Sequence, residues 1–411
     1  MAYSVVIARG IRFISSILNA DGGVPATKPG DPSGCWTSAE SLEVMLTAGV
    51  HELDPRPMAE SLLSFLLANQ IVGGQDAGGW PLVAGGRQAS AMATGHAVSA
   101  LHAVLRFFPS DQQIHQRVNV SIAAGFQWLE GHRNAERGWG VEPSSGGDGA
   151  QLRMISTVYA LRGYSSAGKT VQNSGTVKQA CQAILSLQNS DGGFGGKRGA
   201  PSDACNTARA LIGILDCNGL APRDRAIKRG VSYILSQKPR NKQWPLATES
   251  YVTQSAPGQT VFNSNTPADA IEALLRVERY DRLVETSLEW LVSLQNDDGS
   301  WMLASTDRTI PEVITWPTNE AMSTLSLASR VFVSKRLPSV RAEVRRYRWT
   351  VGLLSLFCIL EGVILIFSPQ LLQTLWNLVP DSVRSLIVGG LILALLVNLL
   401  SSFVWEKIRN R

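Results

Sequence analysis

Over the first 334 residues the apolar positions recur with a helical period, and the pattern itself repeats. In each repeat an amphipathic segment ends in a Gly-rich turn. An aromatic or branched residue follows, then a second segment that is apolar on most sides. The turns read FISSILNADGGV, FLLANQIVGGQDAGGW, WLEGHRNAERGWG, ILSLQNSDGGFGG, YILSQKPRNKQW and WLVSLQNDDGSW. They close on Val24, Trp80, Trp139, Phe194, Trp244 and Trp301, which lie 50 to 59 residues apart. A threonine opens each second segment: Thr37, Thr94, Thr157, Thr207, Thr266 and Thr318. Threonine there predicts a helix N-cap, and Thr37 with Glu40 predicts a capping box.

Six helical hairpins predict an all-α (α/α)6 toroid, with six amphipathic outer helices around six largely apolar inner ones. Neither terminal repeat is more polar than the rest, so the expected arrangement is a closed ring rather than an open solenoid. All threonine ends then share one rim. Polar residues close to those threonines become candidate ligand contacts: Glu40, His96, Arg153, Tyr159, Arg209, Asp269 and Glu320, with Lys197 from the fourth turn. Helix N-termini favour anions, so Arg153, Lys197 and Arg209 are expected to converge as an anion clamp. A capping or inter-helix ion pair is the alternative for each, and a buried core position is the alternative for His96. Trp36, Trp316 and Met154 could form an apolar wall that tolerates cations, or simply core.

The pattern changes completely after residue 334. Residues 349–368 and 385–405 form two apolar runs of about 20 residues, each long enough to cross a hydrocarbon core of about 30 Å as a helix. The domain plan is therefore a toroid over 1–334, a basic juxtamembrane linker over 335–348 and a two-helix transmembrane hairpin over 349–411. Arginines flank the outer ends of both runs, which predicts both ends on the cytoplasmic side of an inner membrane, with the toroid beside them. Glu361 and Asn398 fall within the runs. They are expected either to bond one helix to the other or to line an oligomeric pore.

Charge and cysteines narrow the function. Residues 335–411 carry 10 Lys/Arg and 4 Asp/Glu, whereas the preceding residues carry 28 and 29. The basic character thus belongs to the C-terminal segment, which argues against nucleic acid as a partner of the main domain. Five cysteines at scattered positions without a CxxC pair do not read as a disulfide framework. A reducing compartment is expected, and the N-terminal segment lacks a signal-peptide pattern.

The turn sequences LQNSDGGFGG and LQNDDGSW resemble the repeats of terpenoid cyclases and protein prenyltransferase β subunits, which share an (α/α)6 toroid. The resemblance spans roughly residues 5–334. It implies that the turn residues, including Asp297 and Asp298, are structural. Squalene–hopene-type cyclases carry D-x-D-D-T-A at the fourth inner helix, whose central Asp protonates the substrate. Here the frame reads Asp203-Ala204-Cys205-Asn206-Thr207-Ala208, with Cys205 at that place. A thiol with a pKa near ~8.5 is a poor acid for an alkene. The same stretch resembles the prenyltransferase zinc site, with Asp203 and Cys205 matching two ligands and Lys197 the diphosphate-binding base. The third ligand, a histidine, is replaced by Asn265, so a zinc cofactor is not expected. Asp203 and Cys205 remain the candidate catalytic pair, with a turn residue and a small buried hydrophobe as the alternatives.

Three functions are compatible with these residues. The first is a membrane-anchored module that binds an isoprenoid, lipid or peptide in the toroid without cyclase or zinc-transferase chemistry. The second is an active terpenoid or prenyl-transfer enzyme with altered residues. The third is a sensor–effector, as in bacterial defence, whose hairpin forms a homo-oligomer and perturbs the membrane.

Overall fold

A computed structural model of the chain describes residues 3–48, 54–140, 151–237, 247–251, 260–264, 266–302, 314–332, 377 and 380. The chain divides into two compact units, Met1–Val331 and Phe332–Arg411. The linker, both apolar runs, Glu361 and Asn398 lie outside the described residues, as does Asn265. Among the described residues no helix is long and apolar enough to cross a membrane.

The first unit is the expected helical ring. The outer helices are α1 (Ser4–Ser16), α3 (Arg56–Ala68), α5 (Gln112–Gly131), α7 (Gly175–Leu185), α9 (Arg225–Ser236) and α11 (Arg282–Ser293). The inner ones are α2 (Cys35–Thr47), α4 (Ala91–Phe107), α6 (Met154–Ser166), α8 (Ala204–Asp216), α10 (Thr266–Arg276) and α12 over residues 315–332. A short antiparallel ribbon, β1 (Ala247–Tyr251) and β2 (Thr260–Ser264), precedes α10 and pairs Ala247 with Ser264. The helical periodicity gave no sign of this ribbon.

Thr37, Thr94, Thr157, Thr207 and Thr318 do not cap their inner helices, and the side chain of Thr266 lies outside the described residues. Gly34, Ser90, Arg153 and Asp203 occupy the N-cap positions of α2, α4, α6 and α8, and of these only Asp203 caps with its side chain. Thr94, Thr157, Thr207 and Thr318 lie further into their helices, where their hydroxyls accept the backbone N–H of the turn aromatic. Trp80 donates to Thr94 at 3.0 Å, Trp139 to Thr157 at 3.1 Å, Phe194 to Thr207 at 2.9 Å and Trp301 to Thr318 at 2.9 Å. In the first repeat the register slips by one, and Val24 donates to Ser38 at 2.8 Å. The indoles point the other way. Trp80, Trp139 and Trp301 donate Nε1–H to the carbonyls of Leu66, Leu129 and Leu291 at the ends of the outer helices. One buried aromatic therefore ties both helices of its hairpin together. Glu40 makes no capping box either; its carboxylate turns inward toward His96.

The turns also tie neighbouring repeats. Gln188 donates to the carbonyl of Gly192 in its own turn and to that of Ala226 on α9. Gln295 repeats this with Gly299 and with Val6 on α1, which joins the last repeat to the first. Ser41 and Asn319 complete the closure between α2 and α12 at 3.0 Å, with Asn319 also donating to Thr37 O. Gly192 has φ +92°, and a Cβ there would lie 2.9 Å from the Arg229 carbonyl, so the turn sits against α9 as only glycine permits. Asp191 and Asp298 accept backbone N–H groups within their turns, which is the structural role implied by the resemblance.

The hydroxyl bridge gives a specific expectation. Thr94→Val leaves the buried Trp80 N–H without an acceptor and should cost about 1–3 kcal/mol. Thr37→Val should leave the Val24 N–H satisfied, because Ser38 is its acceptor. Denaturant titration of the two variants and of Ser38→Ala checks this: equal losses for Thr37→Val and Thr94→Val would contradict the shifted register.

Candidate functional site

The inner helices bring a polar side chain to the axis from each repeat, two or three positions after the landmark threonine. These are Glu40, His96, Tyr159, Arg209, Asp269 and Glu320, all candidates from the sequence. A second layer follows one helical turn deeper: Glu43, Arg162 and Glu272, then Asp216 and Arg276. Sequence reasoning stopped at the rim and missed this layer. The i, i+3 and i, i+4 spacings of Glu40–Glu43, Asp269–Glu272 and Glu272–Arg276 are its visible signal.

Close helix packing sets the first layer. Gly95 on α4 faces the Tyr159 carbonyl on α6, where a Cβ would collide. That approach brings the His96 and Tyr159 rings to 4.0 Å between centroids. His96 is fully buried, with Nε2 3.4 Å from Glu40 Oε1. On the other side, Arg209 is nearly fully buried; its Nε lies 3.1 Å from Asp269 Oδ2 and its Nη2 donates to Glu320 Oε1 at 3.3 Å. Cys205, also fully buried, donates its thiol to Asp269 Oδ2 at 3.2 Å. Arg162 Nε lies 3.3 Å from Glu43 Oε2, and Arg276 bridges Asp216 and Glu272.

Six carboxyl groups and three guanidiniums thus share the axis, and the burial of this acid excess is expressed in the proton affinities. Burial pushes Glu40 up to about 8 although Arg162 and Arg209 pull against it. Burial pushes Glu272 up to about 7. Burial and then the neighbouring Asp269 carry Glu320 well above the usual carboxylate range. Burial, Arg162 and Arg209 hold His96 well below its ordinary value, so the imidazole is neutral. Burial works against the Arg162 charge, but Glu43, Glu272 and Glu40 together hold it above the ordinary guanidinium range.

The cavity enclosed by these groups is about 40 Å³, lined by Glu40, Tyr159, Arg162, Arg209, Asp269 and Glu320 among others. At about 10–15 Å³ of such space per water, that is room for roughly three waters, and an isoprenoid chain does not fit.

Other expectations change. Arg153, Lys197 and Arg209 do not form an anion clamp: Arg209 is committed to Asp269 and Glu320, Arg153 holds the α6 N-cap position and Lys197 is exposed on its loop. Asp203 is the α8 cap, with Oδ1 accepting the Asn206 N–H and Oδ2 accepting the Asn206 amide, both at 2.7 Å. Its oxygens therefore face the helix end, while the Cys205 thiol faces Asp269. This donor set does not fit a zinc ion held by Asp203 and Cys205 together. Among the described residues no group of three His, Cys, Asp or Glu side chains is placed to hold a metal. Met154 is core, whereas Trp36 and Trp316 stay half-buried at the rim, 6.5 Å apart.

No protein-family model matches the chain. One curated protein, protostadienol synthase A of Arthroderma gypseum, is 32% identical over 99 residues, which is 21% of this chain and 13% of that protein. Among solved structures, a type II terpene cyclase from Scytonema is similar over 80% of this chain and 99% of its own, at TM-score 0.52 and 17% identity. A cellobiose 2-epimerase from Bacillus thermoamylovorans covers the same share of each chain at TM-score 0.59 and 11% identity. A glycosidase matches 80% of this chain and 96% of its own, at TM-score 0.55 and 10% identity. The chain has the terpene-cyclase-like α/α toroid fold, and that fold also serves sugar chemistry.

The buried charges give two expectations. Arg209→Met removes the guanidinium that Asp269 and Glu320 share and should destabilise the fold by about 3–5 kcal/mol, read by denaturant titration. The fold favours protonated Glu40, so this contribution is complete below the unfolded carboxyl pKa of about 4.3 and is lost as pH rises through about 8. Glu40→Gln should remove that loss. Its melting temperature relative to wild type should therefore improve between pH 5 and pH 9, and a constant difference would contradict the assignment.

Proposed function

We propose that this chain is a membrane-tethered, terpene-cyclase-like toroid that works as a binding module and neither protonates alkenes nor transfers prenyl groups. The observation that carries this reading is the state of the fourth inner helix. Cys205 stands where the cyclases have their proton donor, and it is fully buried and bonded to Asp269. Asp269 is in turn locked to Arg209. An alkene has no route to a proton there, and the cavity of about 40 Å³ holds no cyclase substrate. The polar axis supports a polar ligand group, such as part of a peptide or a lipid head group, over an isoprenoid tail. The tether rests on the two apolar runs at 349–368 and 385–405. They also support the effector alternative, in which a bound toroid biases the oligomeric state of the hairpin.

A second reading has one specific observation in its favour. Glu40, Glu272 and Glu320 are buried acids with raised proton affinities beside a neutral His96, an arrangement suited to general acid–base work.

One experiment separates the two. Full-length protein in detergent micelles is incubated with squalene and with geranylgeranyl diphosphate, and extracts are analysed by gas chromatography and mass spectrometry. The binding-module reading expects no product from either substrate. A cyclised product that disappears in Glu320→Gln would establish the acid-catalyst reading instead.

A further inference from the structure

Two details of the axis point to a ligand. Glu40 Oε2 and Glu320 Oε2 are buried and make no well-formed hydrogen bond, although the Asn319 amide lies close enough to Glu40 to favour its charged form. Glu40 as a whole is only 5% exposed, and both carboxyls line the central cavity. Burial holds both carboxyls in their protonated form while the axis is without a cation; a cation that enters would release those protons, and its N–H donors would bond the freed oxygens. The surrounding guanidiniums do not supply such donors, because Arg209 reaches Asp269 and the other oxygen of Glu320, and Arg162 reaches Glu43.

The second detail is aromatic. Trp36 precedes Glu40 by one helical turn on α2, and Trp316 precedes Glu320 by one turn on α12. The two half-buried indoles stand 6.5 Å apart, tilted by 46°. Trp36 continues at 6.5 Å to His96, which packs on Tyr159 at 4.0 Å. An arc of four aromatic rings therefore borders the acid-rich axis, at the seam where the last repeat meets the first.

We propose that this seam is a receptor site for a primary ammonium group carried on a short apolar stem, such as an aliphatic amine or a lysine side chain. The ammonium brings three N–H donors to the unbonded carboxylate oxygens. Its head is close to water in size and fits a cavity of about 40 Å³. The stem leaves between Trp36 and Trp316, whose ring faces attract the cation and cover the methylenes. A quaternary ammonium also has the charge but has no N–H to donate. A neutral alcohol of the same length has a donor and no charge. The inference rests on the binding-module reading and names the ligand group for the same site.

The test uses the full-length chain in detergent micelles, with calorimetric titration of butylammonium chloride, tetramethylammonium chloride and butanol at constant ionic strength. Butylammonium should bind, tetramethylammonium should bind about tenfold or more weakly, and butanol should show no heat of binding. Glu320→Gln should weaken butylammonium about tenfold. Trp36→Leu leaves every carboxyl in place and should also weaken it, with unchanged far-ultraviolet circular dichroism showing that the fold is intact. A peptide with one internal lysine, compared with its norleucine analogue, then separates a lysine source from a free amine. Equal responses to the three small ligands, no binding of butylammonium, or binding undiminished in both variants would overturn the ammonium site. None of these outcomes bears on the absence of cyclisation. An isoprenoid product in the separate substrate assay would overturn the binding-module reading itself.

Discussion

The toroid depends on one recurrent interaction: a buried turn aromatic whose backbone N–H bonds to an inner-helix hydroxyl while its indole N–H bonds to an outer-helix carbonyl. Trp80, Trp139 and Trp301 each do both. The two bonds fix the spacing and rotation of each hairpin, because rigid helices are held at both ends of a flat ring. Turn glutamines then fix hairpins against their neighbours, Gln70 on Ser121 and Gln188 on Ala226, and Gln295 carries the same contact back to Val6. Ring closure is thus the last use of a rule already applied between interior repeats, and no special terminal structure is needed.

Such a ring leaves the axis free to vary, since none of these bonds involves an axial side chain. The solved structures that share the fold include both a terpene cyclase and sugar-processing enzymes, so architecture does not select a chemistry. Here the axis has filled with charge. Arg209 pairs with Asp269 and Glu320, and Arg276 with Asp216 and Glu272, on this axis. Buried ion pairs of this kind return little net stability over apolar packing. Burial raises the proton affinity of three of these carboxyls, so holding them as charges on this axis is costly. A core kept at that cost is more readily explained by recognition or proton chemistry than by folding alone.

Much of the ring was legible in the sequence because periodicity and glycine turns report local geometry. The twelve helices, the buried turn aromatics and the inward position of Glu40, His96, Tyr159, Arg209, Asp269 and Glu320 all follow from repeat spacing. The pairings among them did not, because they depend on rotation about each helix axis. Arg209 could be placed at the rim from its spacing to Thr207, yet whether it met Lys197 or Asp269 rested on the α8–α10 contact. The threonine signal is ambiguous for a related reason: an N-cap and an acceptor one turn inside the helix look alike in a linear pattern. Asp203, a catalytic candidate by its motif, caps α8 with its side chain. The β1–β2 ribbon had no periodic signature, and the hairpin over 349–411 lies outside the described residues.

The seam gives the site a position of consequence. Glu40 and Trp36 belong to the first inner helix, and Glu320 and Trp316 to the last, so a ligand held between them touches the two repeats that are farthest apart in sequence. The covalent chain does not join these repeats directly; Ser41, Asn319, Gln295 and Arg9 hold them together by hydrogen bonds. Any group that bonds to both Glu40 and Glu320 adds to that closure and favours the closed ring over a ring opened at its seam. Helix α12 also runs, at residue 332, into the segment that carries the basic stretch and the two apolar runs. The last inner helix thus both borders the candidate site and leads toward the segment that carries the two apolar runs.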